Sequence, residues 1–175
     1  MVNFFSVLLI PQEDDEVYLS NIIKKLGKEY HAPIFIPHLT LFGGITIDFD
    51  RLKSIIDNVF QNVKSFTIEK TGINQTEAFF KTVFIEFKRD ENLSELFKTF
   101  SQKTDGRDLS TFKPHISLMY KILPEDEKSK IISKLDIKNE FTIGSVCVVA
   151  PKEGDKDFYD VDGWRIIYKK NFIPS

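Results

Sequence analysis

Pro37-His38-Leu39-Thr40-Leu41 returns, 77 residues later, as Pro114-His115-Ile116-Ser117-Leu118. Each pentapeptide has the alternation of a short strand. Side chains on a strand point to opposite faces in turn. His38 and Thr40 therefore share one face, while Leu39 and Leu41 share the other. The apolar pair anchors the strand in a core. The histidine and hydroxyl then project from the opposite side, roughly 7 Å apart along the strand. His115 and Ser117 repeat the arrangement.

Reading outward from the two motifs, the elements alternate in type. Residues 2–10 predict a strand ended by Pro11. Residues 13–30 predict a helix with Leu19, Ile22, Ile23, Leu26 and Tyr30 on one face and acidic residues in its first turn. Residues 36–42 form the first motif strand, which stops at Gly43-Gly44. Leu52, Ile55, Ile56, Val59, Phe60 and Val63 give residues 49–63 helical spacing, with Asp48 or Asp50 as cap. Residues 65–73 and 78–88 predict a hairpin around Asn74-Gln75. Leu93, Leu96, Phe97 and Phe100 mark a helix. Residues 114–120 carry the second motif. Pro124 opens a helix with Ile131, Ile132 and Leu135 inward. Strands at 140–150 and 163–172 close the chain.

The order is β-α-β-α-β followed by β-α-β-α-β-β. The motif falls on the second strand of each unit, so the chain is expected to be a pseudo-repeat. The predicted fold class is α+β. The expected architecture is bilobal, with two similar lobes whose antiparallel sheets line a central cleft and whose helices lie outside. Residues 1–175 are expected to form one such domain, carrying the first motif at 37–41 and the second at 114–118. If the lobes face each other, His38, Thr40, His115 and Ser117 converge.

Composition narrows the partners. The 175 residues are 42% hydrophobic and 29% charged and include 17 Phe, enough for a sizeable core. The formal net charge is −2. Proteins that grip long nucleic acid usually carry a basic surplus, so a small ligand or a strand end fits better. The one cysteine, Cys147, cannot form an internal disulfide and lies in an apolar run, which suits a buried structural thiol and a reducing compartment. The apolar N-terminus lacks a positive leader and is too short to span a bilayer. A cytoplasmic monomer is expected, with no membrane association and no stable protein partner.

Four converging polar groups make a coherent catalytic set. Imidazole titrates near neutrality, so one ring can take a proton from water while its protonated partner delivers one to a leaving oxygen. Thr40 and Ser117 can donate to non-bridging phosphate oxygens. No carboxylate cluster or cysteine adjoins either histidine, so neither a metal site nor a cofactor is expected. A lone strand histidine is usually structural; the duplicated pair with paired hydroxyls is what lifts this reading. His31, at a helix end, lacks that context. Tyr120 and Trp164 are candidates to stack on a base, with Tyr120 placed at the cleft rim because five residues separate it from His115. Phe80 reads as core, and Lys113 as a solvated lysine within reach of a phosphate. The polar stretch 151–163 reads as a surface loop that could cover the cleft.

The paired His-x-Thr/Ser-hydrophobic signature resembles the 2H phosphoesterase superfamily. Ser117-Leu118-Met119-Tyr120 and Gly163-Trp164-Arg165 are similar to its cyclic nucleotide phosphodiesterase branch. The resemblance implies metal-free hydrolysis of a nucleoside 2′,3′-cyclic phosphate or of ADP-ribose 1″,2″-cyclic phosphate. The same site in other members acts on RNA 3′ ends or 2′-5′ oligonucleotides. The remaining reading is a non-catalytic module that binds phosphate or nucleotide.

Overall fold

The computed structural model describes residues 4–151 and 164–175. The fold is α+β. In chain order its elements are β1 (Phe4–Pro11), α1 (Glu13–Tyr30), β2 (Leu39–Thr46), α2 (Phe49–Val59), β3 (Phe66–Gln75), β4 (Val83–Phe87), α3 (Glu91–Lys103), β5 (His115–Met119), α4 (Glu125–Ser133), β6 (Glu140–Ala150) and β7 (Arg165–Asn171). Single 3₁₀ turns at Phe79–Lys81 and Leu109–Thr111 precede β4 and β5.

The predicted order holds, and the boundaries shift for local reasons. Asp48 caps α2 by accepting from the Arg51 amide at 3.0 Å, one of the two caps expected. That helix ends at Val59 instead of Val63, because Phe60 leaves helical geometry. The strand foreseen at 36–42 begins at Leu39 and runs through Gly43-Gly44 to Thr46. Gly44 makes this continuation possible. Its φ is +69°, and a Cβ there would come within 2.8 Å of the Phe4 ring. The strand foreseen at 78–88 is split, its first part forming the 3₁₀ turn over Phe79–Lys81. Pro124 stands at the N-cap of α4, not inside its first turn.

The strands pair in the order β1-β2-β5-β4-β3-β6-β7, and β1 also pairs with β6. All of these pairings are antiparallel. The first six strands therefore close into a ring, and β7 continues along the β6 edge that β3 begins, opposite β1.

The halves match in register as well as in order. In the first, Val7 pairs with Phe42, Leu8 with Thr40 and Leu9 with Leu39. In the second, Val83 pairs with Met119, Phe84 with Ser117 and Ile85 with Ile116. Both ladders skip one residue at the same place in the motif, Leu41 and Leu118. Each skip is a β-bulge, one extra residue facing the partner strand. Its effect is to turn two successive side chains inward: Leu41 and Phe42, then Leu118 and Met119, are all at most 2% exposed.

The two motif strands meet at their middle residues, Leu39 opposite Ile116. One face of the ring, with Val7, Leu9, Leu39, Leu41, Ile85, Ile116, Leu118, Ile143 and Val146, merges with the apolar faces of the four helices into one core. Asp15 pins α1 to this scaffold. Its carboxylate accepts from the Thr142 amide at 2.6 Å and pairs with Lys138. The other face is left for the site.

Candidate active site

Antiparallel pairing of Leu39 with Ile116 fixes the neighbours on the open face. His38 lies towards Ser117, and Thr40 towards His115. Histidine and hydroxyl thus alternate around the crossing. The four side chains line one cavity of about 350 Å³, together with Tyr120 and Trp164. This volume suits a small-molecule site, for which roughly 300–1,000 Å³ is usual. A larger depression of about 600 Å³ lies between α1 and β7, with Lys24 and Lys169 among its walls. It holds no histidine, and convergence of chemistry rather than volume marks the site.

Each histidine is held by its own chain. His38 Nδ1 lies 2.6 Å from the Ile36 carbonyl oxygen, and His115 Nδ1 lies 2.8 Å from that of Lys113. A carbonyl can only accept, so both Nδ1 atoms carry hydrogen. That leaves each neutral ring with a bare Nε2, the nitrogen able to take up a proton. The same two-residue latch serves both rings.

Burial governs how they titrate. His38 is 8% exposed, and burial lowers its pKa while the Ile36 bond opposes the shift. Burial likewise brings His115 down to about 4, helped by the charges of Lys81 and His38 and opposed by the Lys113 bond. Both rings are then neutral at pH 7 in the free protein. An anion between them favours the imidazolium and raises its pKa. Anion binding must therefore take up protons, and affinity must rise as pH falls from 7 towards 4. With one linked proton the limit is about tenfold per pH unit. Calorimetry of sulfate binding at pH 6.5, in two buffers of different ionisation heat, should show close to one proton taken up per ion. Binding without proton uptake would refute the linkage.

Tyr120 departs from its expected place. Simple alternation put it off the His115 face, at the rim. The bulge at Leu118 resets the alternation, so Tyr120 lines the cavity at 3% exposure. Its hydroxyl donates to His38 Nε2 over 3.4 Å, and its ring stacks on Phe35 with centroids 3.7 Å apart. Burial raises its pKa, so the phenol stays protonated. Gly43 is the matching position after the first bulge; it too lines the cavity, without a side chain.

The hydroxyls are not equivalent. Ser117 Oγ donates to the Phe80 carbonyl at 2.8 Å, so it must rotate to donate to a ligand. Phe80 is on the cavity wall instead of in the core, 5.2 Å from the Tyr120 ring and 5.9 Å from Trp164. Trp164 also packs on Leu8, Ile10, Cys147 and Val149. Cys147 is buried, its thiol pushed up to about 12 by burial, as expected of a structural cysteine.

Sequence reasoning missed Ser6, Leu8 and the Gly43-Gly44 pair on the cavity wall. It also missed Arg107, which stacks over Phe42 at 4.5 Å and donates to the Gly43 carbonyl at 2.7 Å. Only the double glycine left a signal, a backbone that must approach something closely. His31 ends α1 in the left-handed region at φ 52°, away from the cavity. The cleft-covering loop expected at 151–163 lies, from residue 152 on, outside the described residues. Among the described residues no three His, Cys, Asp or Glu side chains come together, and no helix is long and apolar enough to cross a membrane.

An α+β fold with one His-x-Thr/Ser motif in each half, the two meeting in one cavity, fits the two-histidine phosphoesterases that the paired motif resembles. Comparison with known proteins agrees. Residues 4–169 match the family described as cyclic phosphodiesterase-like protein. A cyclic phosphodiesterase of Arabidopsis thaliana is 24% identical over 130 residues, covering 74% of this chain and 72% of that one. Escherichia coli LigT complexed with 3′-AMP superposes with a TM-score of 0.60 at 12% identity, over 99% of each chain. LigT complexed with phosphate gives 0.57 at 12%, over 98% of each. The chain belongs to the cyclic phosphodiesterase-like family within the 2H phosphoesterase superfamily, and is a phosphodiesterase enzyme.

Proposed function

We propose that this protein hydrolyses a nucleotide-type cyclic phosphate without a metal ion, using His38 and His115 as its acid–base pair. The observation that carries the proposal is the matched latch: both rings are fixed with Nδ1 on a backbone carbonyl, which keeps Nε2 as the proton-accepting nitrogen, that of His38 also meeting the Tyr120 hydroxyl. The cyclic diester binds with its phosphate between the rings, and its negative charge raises the pKa of one of them, which takes up a proton from solvent. The neutral ring takes a proton from water as the water oxygen attacks phosphorus. The bond from phosphorus to one ribose oxygen breaks, and the imidazolium protonates that oxygen. Cyclic diester and water become a monoester. The net change leaves the rings with exchanged protonation, which solvent restores.

Thr40 and Ser117 donate to the non-bridging oxygens, where charge grows in the transition state. Tyr120 and Trp164 border the substrate, and residues 1–175 act as one bilobal unit whose halves each supply one histidine. The Arabidopsis relative's name and the nucleotide and phosphate bound by LigT support this substrate class.

The test is incubation with the four nucleoside 2′,3′-cyclic monophosphates and ADP-ribose 1″,2″-cyclic phosphate in EDTA, with products separated by chromatography. At least one should open to a monoester at a rate unchanged by the chelator. If every compound is returned intact, the cyclic phosphodiesterase reading is wrong. A chelator-sensitive rate would overturn the metal-independent step alone.

A further inference from the structure

The cavity has two unlike ends. Next to His38 it adjoins an apolar annex of about 240 Å³ that includes Ile34, Ile36, Val149 and Ile166. Next to His115 it adjoins a depression of about 450 Å³ that sets Lys81, Arg89 and Lys113 against a single carboxylate, Glu86. On a chain of net charge −2 this is a concentrated local surplus.

The cations are placed by the structure that places His115. Lys81 Nζ sits 4.3 Å over the Phe84 ring, and Phe84 meets the His115 ring edge-on at 5.5 Å. Lys113 gives its carbonyl to His115, so its side chain starts two residues from the catalytic ring. Arg89 is steadied by donating to the carbonyls of Leu109 and Phe112, at 2.9 and 3.3 Å. Among the described residues, neither Lys81 nor Lys113 forms an ion pair. Burial lowers the Lys81 pKa, the Glu86 carboxylate opposes that shift, and the charge of Lys113 adds to it. Three cations lining one depression with a single carboxylate leave a positive surplus that an anion bound there neutralises.

We infer that this depression is a second phosphate subsite, so that the natural substrate carries a further phosphoryl group beyond its cyclic phosphate. Lys81 and Lys113 bind that group, and Arg89 borders it. The inference rests on the proposed cyclic phosphodiesterase reading. The shared chemistry is a phosphate one ribose away, found in the internucleotide linkage of an RNA 3′ end and in the diphosphate of a nucleotide derivative.

The test compares kcat/KM for adenosine 2′,3′-cyclic phosphate with three substrates that add phosphate. These are its 5′-phosphorylated form, the dinucleotide ApA ending in a 2′,3′-cyclic phosphate, and ADP-ribose 1″,2″-cyclic phosphate. Wild-type protein should favour at least one of the three by about tenfold or more, mainly through KM. The double variant Lys81→Gln/Lys113→Gln should bring that ratio close to one with an unchanged melting curve. A ratio is required because Lys81 also lowers the His115 pKa, and its loss alters every substrate together. Preference for the dinucleotide identifies a strand end, and preference for the ADP-ribose compound identifies a diphosphate; both support the subsite. Equal values in wild type, or a preference that survives the double variant, overturn it. Binding gives a readout independent of turnover. Adenosine 3′,5′-bisphosphate should bind wild type more tightly than 3′-AMP, and the double variant should lose that advantage. An advantage that is missing or persists overturns the subsite even if no cyclic phosphate is hydrolysed, which separates its failure from that of the underlying reading.

Discussion

Alanine at His38 or at His115 should lower kcat by about 10²–10⁴ each, the usual worth of a positioned acid or base. The double variant should be little worse than the weaker single one, because in the proposed mechanism the two rings act in one proton-transfer cycle. Neither ring belongs to the main core. His38 lies on the open face beside Tyr120, and His115 on the same face beside Phe84. Circular dichroism melting should therefore change little. The decisive comparison is turnover against melting in the same preparations. Activity within tenfold of wild type in either folded variant would remove that histidine from the chemistry.

Phe42→Ala should be the most damaging truncation for stability in the first motif strand. The ring is 1% exposed and packs on Phe97 and Phe100 with centroids 5.0 and 4.9 Å away. The Arg107 guanidinium covers its outer face. Truncating a phenylalanine so enclosed costs about 3–5 kcal/mol, from lost transfer energy plus the cavity left behind. For a protein of this size that lowers Tm by roughly 6–20 °C. Urea unfolding checks it directly. A loss under about 1 kcal/mol would mean that α3 collapses onto the gap. Because Arg107 also holds the Gly43 carbonyl, the variant should lose some ligand affinity before it unfolds.

Element order was legible because period-2 and period-3.6 patterns are strong in this chain, as in the α2 stripe from Leu52 to Val59. The meeting of His38 and His115 in one cavity was legible because one pentapeptide occurs twice. What failed was tied to long-range pairing. A bulge is set by the partner strand, so nothing in Ser117-Leu118-Met119-Tyr120 by itself tells that two successive residues turn inward. Tyr120 was consequently put at the rim, and Phe80, on a 3₁₀ turn mistaken for strand, in the core. The ring latches were illegible for a related reason: their acceptors are backbone carbonyls, which every residue has. Arg107 was invisible because the Gly43 carbonyl it holds, just past the first motif, lies 64 residues away in sequence.

The latches carry a consequence for how this site can drift. In many acid–base pairs a carboxylate side chain orients the imidazole, and a single codon change can disable it. Here the orienting atoms at Ile36 and Lys113 belong to the main chain, and no replacement that keeps the backbone path deletes them. Side chains at 36 and 113 are thereby released from the proton chemistry. One has become part of an apolar wall and the other part of a basic one. On the proposed mechanism, substrate preference can thus be rewritten at the very residues that hold the two rings, without touching the proton transfers assigned to them.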